Sequence, residues 1–204
     1  MTRLTTRAGF LLLISVVELS IRGEVPIPPA EAVASDPSES NGTVAASPAA
    51  DRHTIQQYGL TFILSRSTRS DSTATEEYFL QGESAESWSQ MITYQRLILA
   101  EPLGAGEYVT WLKKHFEQTH GGPRLKVVRL GKAASIFGVQ YDKTDTTGGQ
   151  FGLVLVTVAD PRRPNELHLI QYAINVNRIS PEETDLQIKR WQALFQSQAE
   201  SVGR

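Results

Sequence analysis

The chain has 204 residues, 40% of them hydrophobic and 21% charged, an ordinary globular composition that excludes a wholly disordered or fibrous protein. Its 20 Lys and Arg against 22 Asp and Glu leave a net charge of −2, which gives no electrostatic footing for nucleic acid or an anionic membrane surface. There is no cysteine, so disulfides, thiolate metal sites, a cysteine nucleophile and thioether-linked lipid are excluded.

At the N-terminus, Arg3 and Arg7 precede the apolar run AGFLLLISVV, and Glu18 closes it. A basic start followed by roughly 7–15 apolar residues is the pattern of an export signal, whereas a bilayer span needs about 20. Residues 1–24 are therefore expected to be a signal peptide, with small residues offering cleavage points as far as Ala34. Residues 25–53, dominated by Pro, Ala and Ser, carry too little apolar surface to offset the entropy of ordering and are expected to be a linker. A single domain is expected over 54–199, with a flexible tail at 200–204.

Alternation of Tyr58, Leu60, Phe62 and Leu64 predicts a strand over 58–65. A polar loop over 66–75 leads to a shorter strand at 76–81 (EEYFLQ), and MITYQRLIL predicts a third at 91–99. The period then changes: Tyr108, Trp111, Leu112, His115 and Phe116 fall on one helical face, and Gly121-Gly122-Pro123 supplies a stop. Four more strands are predicted at 125–130, 135–141, 151–158 and 167–176, with DKTDTTGG and ADPRRPN as short connections that suit antiparallel neighbours. Ser180-Pro181-Glu182-Glu183 signs the last helix with an N-cap serine, proline at the first helical position and a capping-box glutamate. Ile188, Trp191 and Phe195 give that helix its buried stripe. The predicted fold class is α+β: a largely antiparallel sheet of about seven strands, ordered β-β-β-α-β-β-β-β-α, with two helices packed on it. No internal repeat is visible.

Gly82-Glu83-Ser84-Ala85-Glu86 stops one residue short of the G-x-S-x-G elbow that presents a nucleophilic serine, and Asp160 and His168 follow in the hydrolase order. Glu86 replaces the second glycine, and consecutive strands do not build the parallel sheet an elbow requires. Ser84 is read instead as the cap of a short helical turn joining two strands, with Ala85, Trp88 and Ile92 facing the core. Glu83 with Glu86, or Glu76 with Glu77, could form an acid–base carboxylate pair, yet such residues more simply decorate solvated loops. His115 and His120 are five apart where i and i+4 would unite two metal ligands, while His53 falls in the linker and His168 opens a strand. No metal or cofactor site is expected. Arg162 and Arg163, between Pro161 and Pro164, form a basic loop tip and the candidate partner contact.

The stretch Gly82-Glu83-Ser84, Glu86, Trp88, Thr93 and Gln95 before a long strand resembles a segment of uncharacterised small exported bacterial proteins. The element order over 58–198 is similar to the Mog1/PsbP-like sandwich. That resemblance implies binding or assembly rather than catalysis and carries over no functional residue. The expected function is thus a non-enzymatic binding or assembly protein of the bacterial cell envelope, periplasmic or secreted, acting through protein–protein contacts with an envelope protein. The alternatives are a serine hydrolase using Ser84, a small-ligand carrier and an immunity-type inhibitor.

Overall fold

The computed structural model describes residues 54–118, 124–141 and 149–202. The expected signal peptide and linker lie outside these residues, as do His53, His120, Gly121-Gly122-Pro123 and most of DKTDTTGG.

Eight strands form one antiparallel sheet: β1 (Thr54–Gln57), β2 (Leu60–Arg69), β3 (Thr73–Leu80), β4 (Gln90–Ile98), β5 (Arg124–Arg129), β6 (Ala134–Tyr141), β7 (Gln150–Asp160) and β8 (Arg163–Asn175). Helix α1 (Ala105–Gln118) follows β4, and α2 (Pro181–Val202) follows β8. The strand order is β1-β2-β3-β4-β8-β7-β6-β5. It reads the same from either end when each strand of the first four is exchanged for its counterpart in the second, so the chain is ββββα twice over without a matching sequence repeat.

Three expectations are corrected here. The first is the strand β1, absent from the predicted order. Gln57 pairs with Leu60 across Tyr58-Gly59, whose φ values of 52° and 78° are those of a two-residue hairpin turn. Tyr58 therefore belongs to the turn, not to the apolar side of a strand. Its left-handed backbone is held by the helix: the hydroxyl donates to the Arg190 carbonyl at 2.8 Å and the ring meets Trp191 edge-on at 6.1 Å.

The second is the loop expected at 66–75. β2 and β3 instead run on as a polar pair, Ser67↔Glu76, Thr68↔Thr75 and Arg69↔Ala74, closed by a turn in which the Thr73 amide donates to Ser70 Oγ at 3.1 Å. The register shifts between Leu64 and Arg66, so one residue is bulged and the apolar alternation breaks there although the strand does not. The third is the C-terminus: α2 continues to Val202, beyond the boundary expected at residue 199.

The core divides by strand parity. Phe137, Val139, Val154, Val156 and Leu167 pack with Tyr108, Leu112 and Phe116 of α1. Their alternate neighbours Ile136, Leu153, Leu155 and Tyr172 pack with Trp191, Phe195 and Ala199 of α2. Successive strand residues point to opposite faces, so the two helices lie on opposite sides of the sheet. α1 is seated on the β5–β6 turn, where its Ala105 amide donates to the Lys132 carbonyl at 3.0 Å. The turn itself needs glycine, since a Cβ on Gly131 would meet the Ala134 carbonyl oxygen at 2.6 Å, and the helix comes close to it at Gly106, whose Cβ would lie 3.1 Å from the Gly131 carbonyl oxygen. For α2 the predicted cap is in place, the Glu183 amide donating to Ser180 Oγ at 3.2 Å. Trp191 stacks on Tyr172 at 4.4 Å, and Arg129 reaches Glu200 at 3.9 Å, so α2 crosses its face diagonally from the β1–β2 turn to the β5 edge.

Candidate functional site

That diagonal leaves one corner of the α2 face without a helix over it among the described residues: the upper ends of β3, β4 and β8. Parity puts Glu76 and Tyr78 of β3, Tyr94 and Arg96 of β4, and Glu166 and His168 of β8 on this face. Register then brings them together, with Glu76 opposite Tyr94 and Arg96 opposite His168. The two rows are one side-chain period apart, about 7 Å along the strands.

The first row forms a cavity of ≈ 310 Å³ lined by Thr54, Ile55, Glu76, Tyr78 and Tyr94. Tyr78 donates to Glu76 Oε2 at 2.7 Å, and the rings of Tyr78 and Tyr94 meet edge to face, 5.8 Å apart at 79°. Burial, and then the hydrogen bond and charge of Glu76, push the Tyr78 phenol far above its ordinary range; burial followed by Glu76 raises Tyr94 as well. Both rings are therefore neutral near pH 7, and the formal charge of the lining rests on Glu76.

The second row is of opposite sign. Glu166, 8% exposed, is ringed by His168 Nε2 at 3.2 Å, Arg163 at 3.5 Å and Arg96 at 4.0 Å. Burial works to raise the Glu166 carboxyl, but the His168 hydrogen bond, the Arg96 charge and the Arg163 hydrogen bond together outweigh it and hold the group below the usual carboxylate range. Two guanidiniums and an imidazole share one carboxylate, so the cluster keeps a net positive charge.

The residues singled out from sequence divide around this corner. Arg163 belongs to it and is 69% exposed at the side chain. Arg162, at 89%, occupies the turn of the β7–β8 hairpin and is clamped to Asp160, its backbone amide at 2.9 Å and its guanidinium at 3.1 Å. The expected loop tip is thus two residues of turn between paired Asp160 and Arg163, with the first proline inside the turn and the second already in β8. Those arginine hydrogen bonds, side chain first and then backbone, also lower the Asp160 carboxyl.

Ser84 lies elsewhere. β3 and β4 are joined at the lower end of the sheet, beyond the Gln90↔Ile174 pair, whereas His168 pairs with Arg96 near the upper end. Six strand residues separate those pairs, about 20 Å, so Ser84, Asp160 and His168 are not brought together. The helical turn expected after Ser84 is corrected to a single turn: the Ser87 amide donates to the Ser84 carbonyl at 3.0 Å and the chain returns to the sheet. Ser84 Oγ donates to Glu86 at 2.8 Å, and Glu83 accepts from the Ser89 amide at 2.8 Å and from its hydroxyl at 2.6 Å, so both glutamates fasten the loop. Ala85 is exposed, and Trp88 packs against Phe79, Met91 and Ala173 on the face opposite Ile92, so the expected helical stripe does not form. Glu76 and Glu77 point to opposite faces and make no pair. His115 stacks on Trp111 at 5.6 Å, and among the described residues no three His, Asp or Glu side chains gather as metal ligands.

Tyr94, Arg96 and Glu166 were not singled out from sequence. The available signal was the i, i+2 spacing of Glu76 with Tyr78, Tyr94 with Arg96, and Glu166 with His168, which gives each pair one face. Which strands lie side by side is not written locally. No helix among the described residues is long and apolar enough to cross a membrane. No family model matches the chain, and no curated protein or solved structure does either.

Proposed function

We propose that the chain is an exported, non-enzymatic binding protein of the bacterial cell envelope that works by protein–protein contact. The observation that carries this reading is the two-signed corner: an acidic, tyrosine-lined cavity beside a basic cluster, both set on paired strands. Side chains on a hydrogen-bonded sheet are pre-positioned, so a partner does not have to order them first. Adjacent patches of opposite sign select one register of a complementary surface and reject the inverted one. Arg163 extends the patch to the hairpin end, where Arg162 continues it.

The test is site-specific photocrosslinking in the living cell. A crosslinker at His168, in the corner, is expected to trap one discrete envelope protein, and one at Thr110, on the exposed side of α1, is expected to trap none. Replacing Arg163 and Arg96 by Glu should abolish the adduct. An identical set of adducts from both positions, or none from His168, overturns the reading.

A further inference from the structure

We propose that the cavity between Thr54 and Tyr94 is the socket for a basic side chain of the partner, the ammonium of a lysine or the guanidinium of an arginine. This rests on the protein-contact reading and names what the partner must present. Five residues line the cavity, and among them only Glu76 is charged. Its Oε2 accepts from Tyr78, and no cation is within ion-pair distance of it among the described residues. A carboxylate at the rim of a cavity with neutral tyrosine walls repels anions, gives an apolar group no reason to prefer it over any other hollow, and stabilises a cation. The tyrosines act in the same direction. Ring faces carry negative potential, and two rings at 79° present one face and one edge, so a cation entering the angle lies over a π surface while its donors reach Glu76. Ile55 offers apolar surface for the methylene stem. The hollow is open to solvent and small, ≈ 310 Å³, so it can admit the end of one side chain without enclosing it. The basic cluster one row away blocks the inverted arrangement, in which the partner's cation would meet Arg96 and Arg163.

Capped single residues test this without the partner. Nα-acetyl-lysine methylamide and its arginine counterpart, titrated into the purified full chain, should shift the Tyr78 and Tyr94 ring resonances saturably. Nα-acetyl-norleucine methylamide, the same stem without charge, should not. Glu76→Gln keeps an acceptor for Tyr78, so the fold is retained, and it should weaken the lysine probe tenfold or more. Tyr94→Leu keeps the charge but removes one ring, and should weaken it severalfold. Equal shifts from norleucine, full binding by Glu76→Gln, or silence of both cationic probes up to their solubility limit overturns the proposal. Crosslinked adducts from His168 together with silent probes sink the socket alone. Responsive probes with no adduct sink the protein-contact reading and the partner side chain with it.

Discussion

The two halves of the sheet share a topology and differ in what covers them. In the β5–β8 half, residues 134–139 of β6 and 152–156 of β7 are buried without a break, because α1 lies on one face and α2 on the other. In the β1–β4 half, only Phe62 of the ten residues of β2 is buried, and its last five are exposed. A strand covered on both faces must be apolar at every position, whereas one with an open face is free to carry charge. The inner strands that hold the fold together, β6 and β7, therefore have little left to offer a ligand, and the polar corner belongs to the β4–β8 seam, where helix cover runs out among the described residues.

The largest expected effect comes from making one substitution in both halves. Leu155 and Leu64 lie on the same face, but Leu155 is 2% exposed beneath α2 while Leu64 is only partly buried. Leu155→Ala should cost about 4 kcal/mol, a transfer loss plus a cavity that two packed layers cannot close. Leu64→Ala should cost about 1–2 kcal/mol, since part of its surface already meets water. Denaturant midpoints at unchanged slope measure both. Equal losses would show that the halves are equally packed and break the comparison.

The same contrast explains what could be read in the sequence. IFGVQY and FGLVLVTV announce buried strands by composition alone, and Ser180-Pro181-Glu182-Glu183 announces a helix by local chemistry, so β6, β7 and α2 fall where expected. Thr54–Gln57, the end of β2 from residue 66 and the start of β3 from residue 73 are strand made largely of polar residues, and polarity there imitates a loop. Their strand character comes from neighbours on the sheet, which a linear pattern does not contain. The site is harder still. Glu76 meets Tyr94 and Arg96 meets His168 only because β3 lies beside β4 and β4 beside β8, and the last of these pairings joins segments separated by the whole of α1 and three strands.

A second prediction concerns acid. Glu166 titrates below the usual carboxylate range in the folded chain, first against the burial that opposes it and then through His168, Arg96 and Arg163. A carboxyl lowered by folding contributes its full stabilisation above the unfolded value, about pH 4.3, and loses it as the pH falls through the lower folded value. Midpoints measured from pH 6 down to pH 2 should therefore fall less steeply in Glu166→Gln than in the parent. The variant should also be the less stable at pH 7, where the Arg96 and Arg163 guanidiniums have lost their common carboxylate. Parallel acid limbs would mean that the ring around Glu166 is present but contributes nothing, and the basic row would then be decoration.

The smallest expected effect has the opposite sign. Thr93 lies on the α1 face of β4, 3% exposed, with Gln171 opposite it on β8 and Val154 beyond that on β7. Its hydroxyl is buried and has no hydrogen-bond partner, as is true of Thr75 on β3. On β7 the same row holds a valine, while Gln171 of β8 between them carries a buried amide nitrogen that is also without a partner. A desolvated hydroxyl without a partner is a cost that valine of the same shape avoids, and valine keeps the β-branch the strand favours. Thr93→Val should therefore raise stability by about 1 kcal/mol, read as a higher midpoint at unchanged slope. That gain would make the open half more like the covered half at a single position, and would show that its polar rows are held against stability. A loss of similar size would mean that the hydroxyl is bonded in solution, and the difference between the halves would then lie in their covering layers alone.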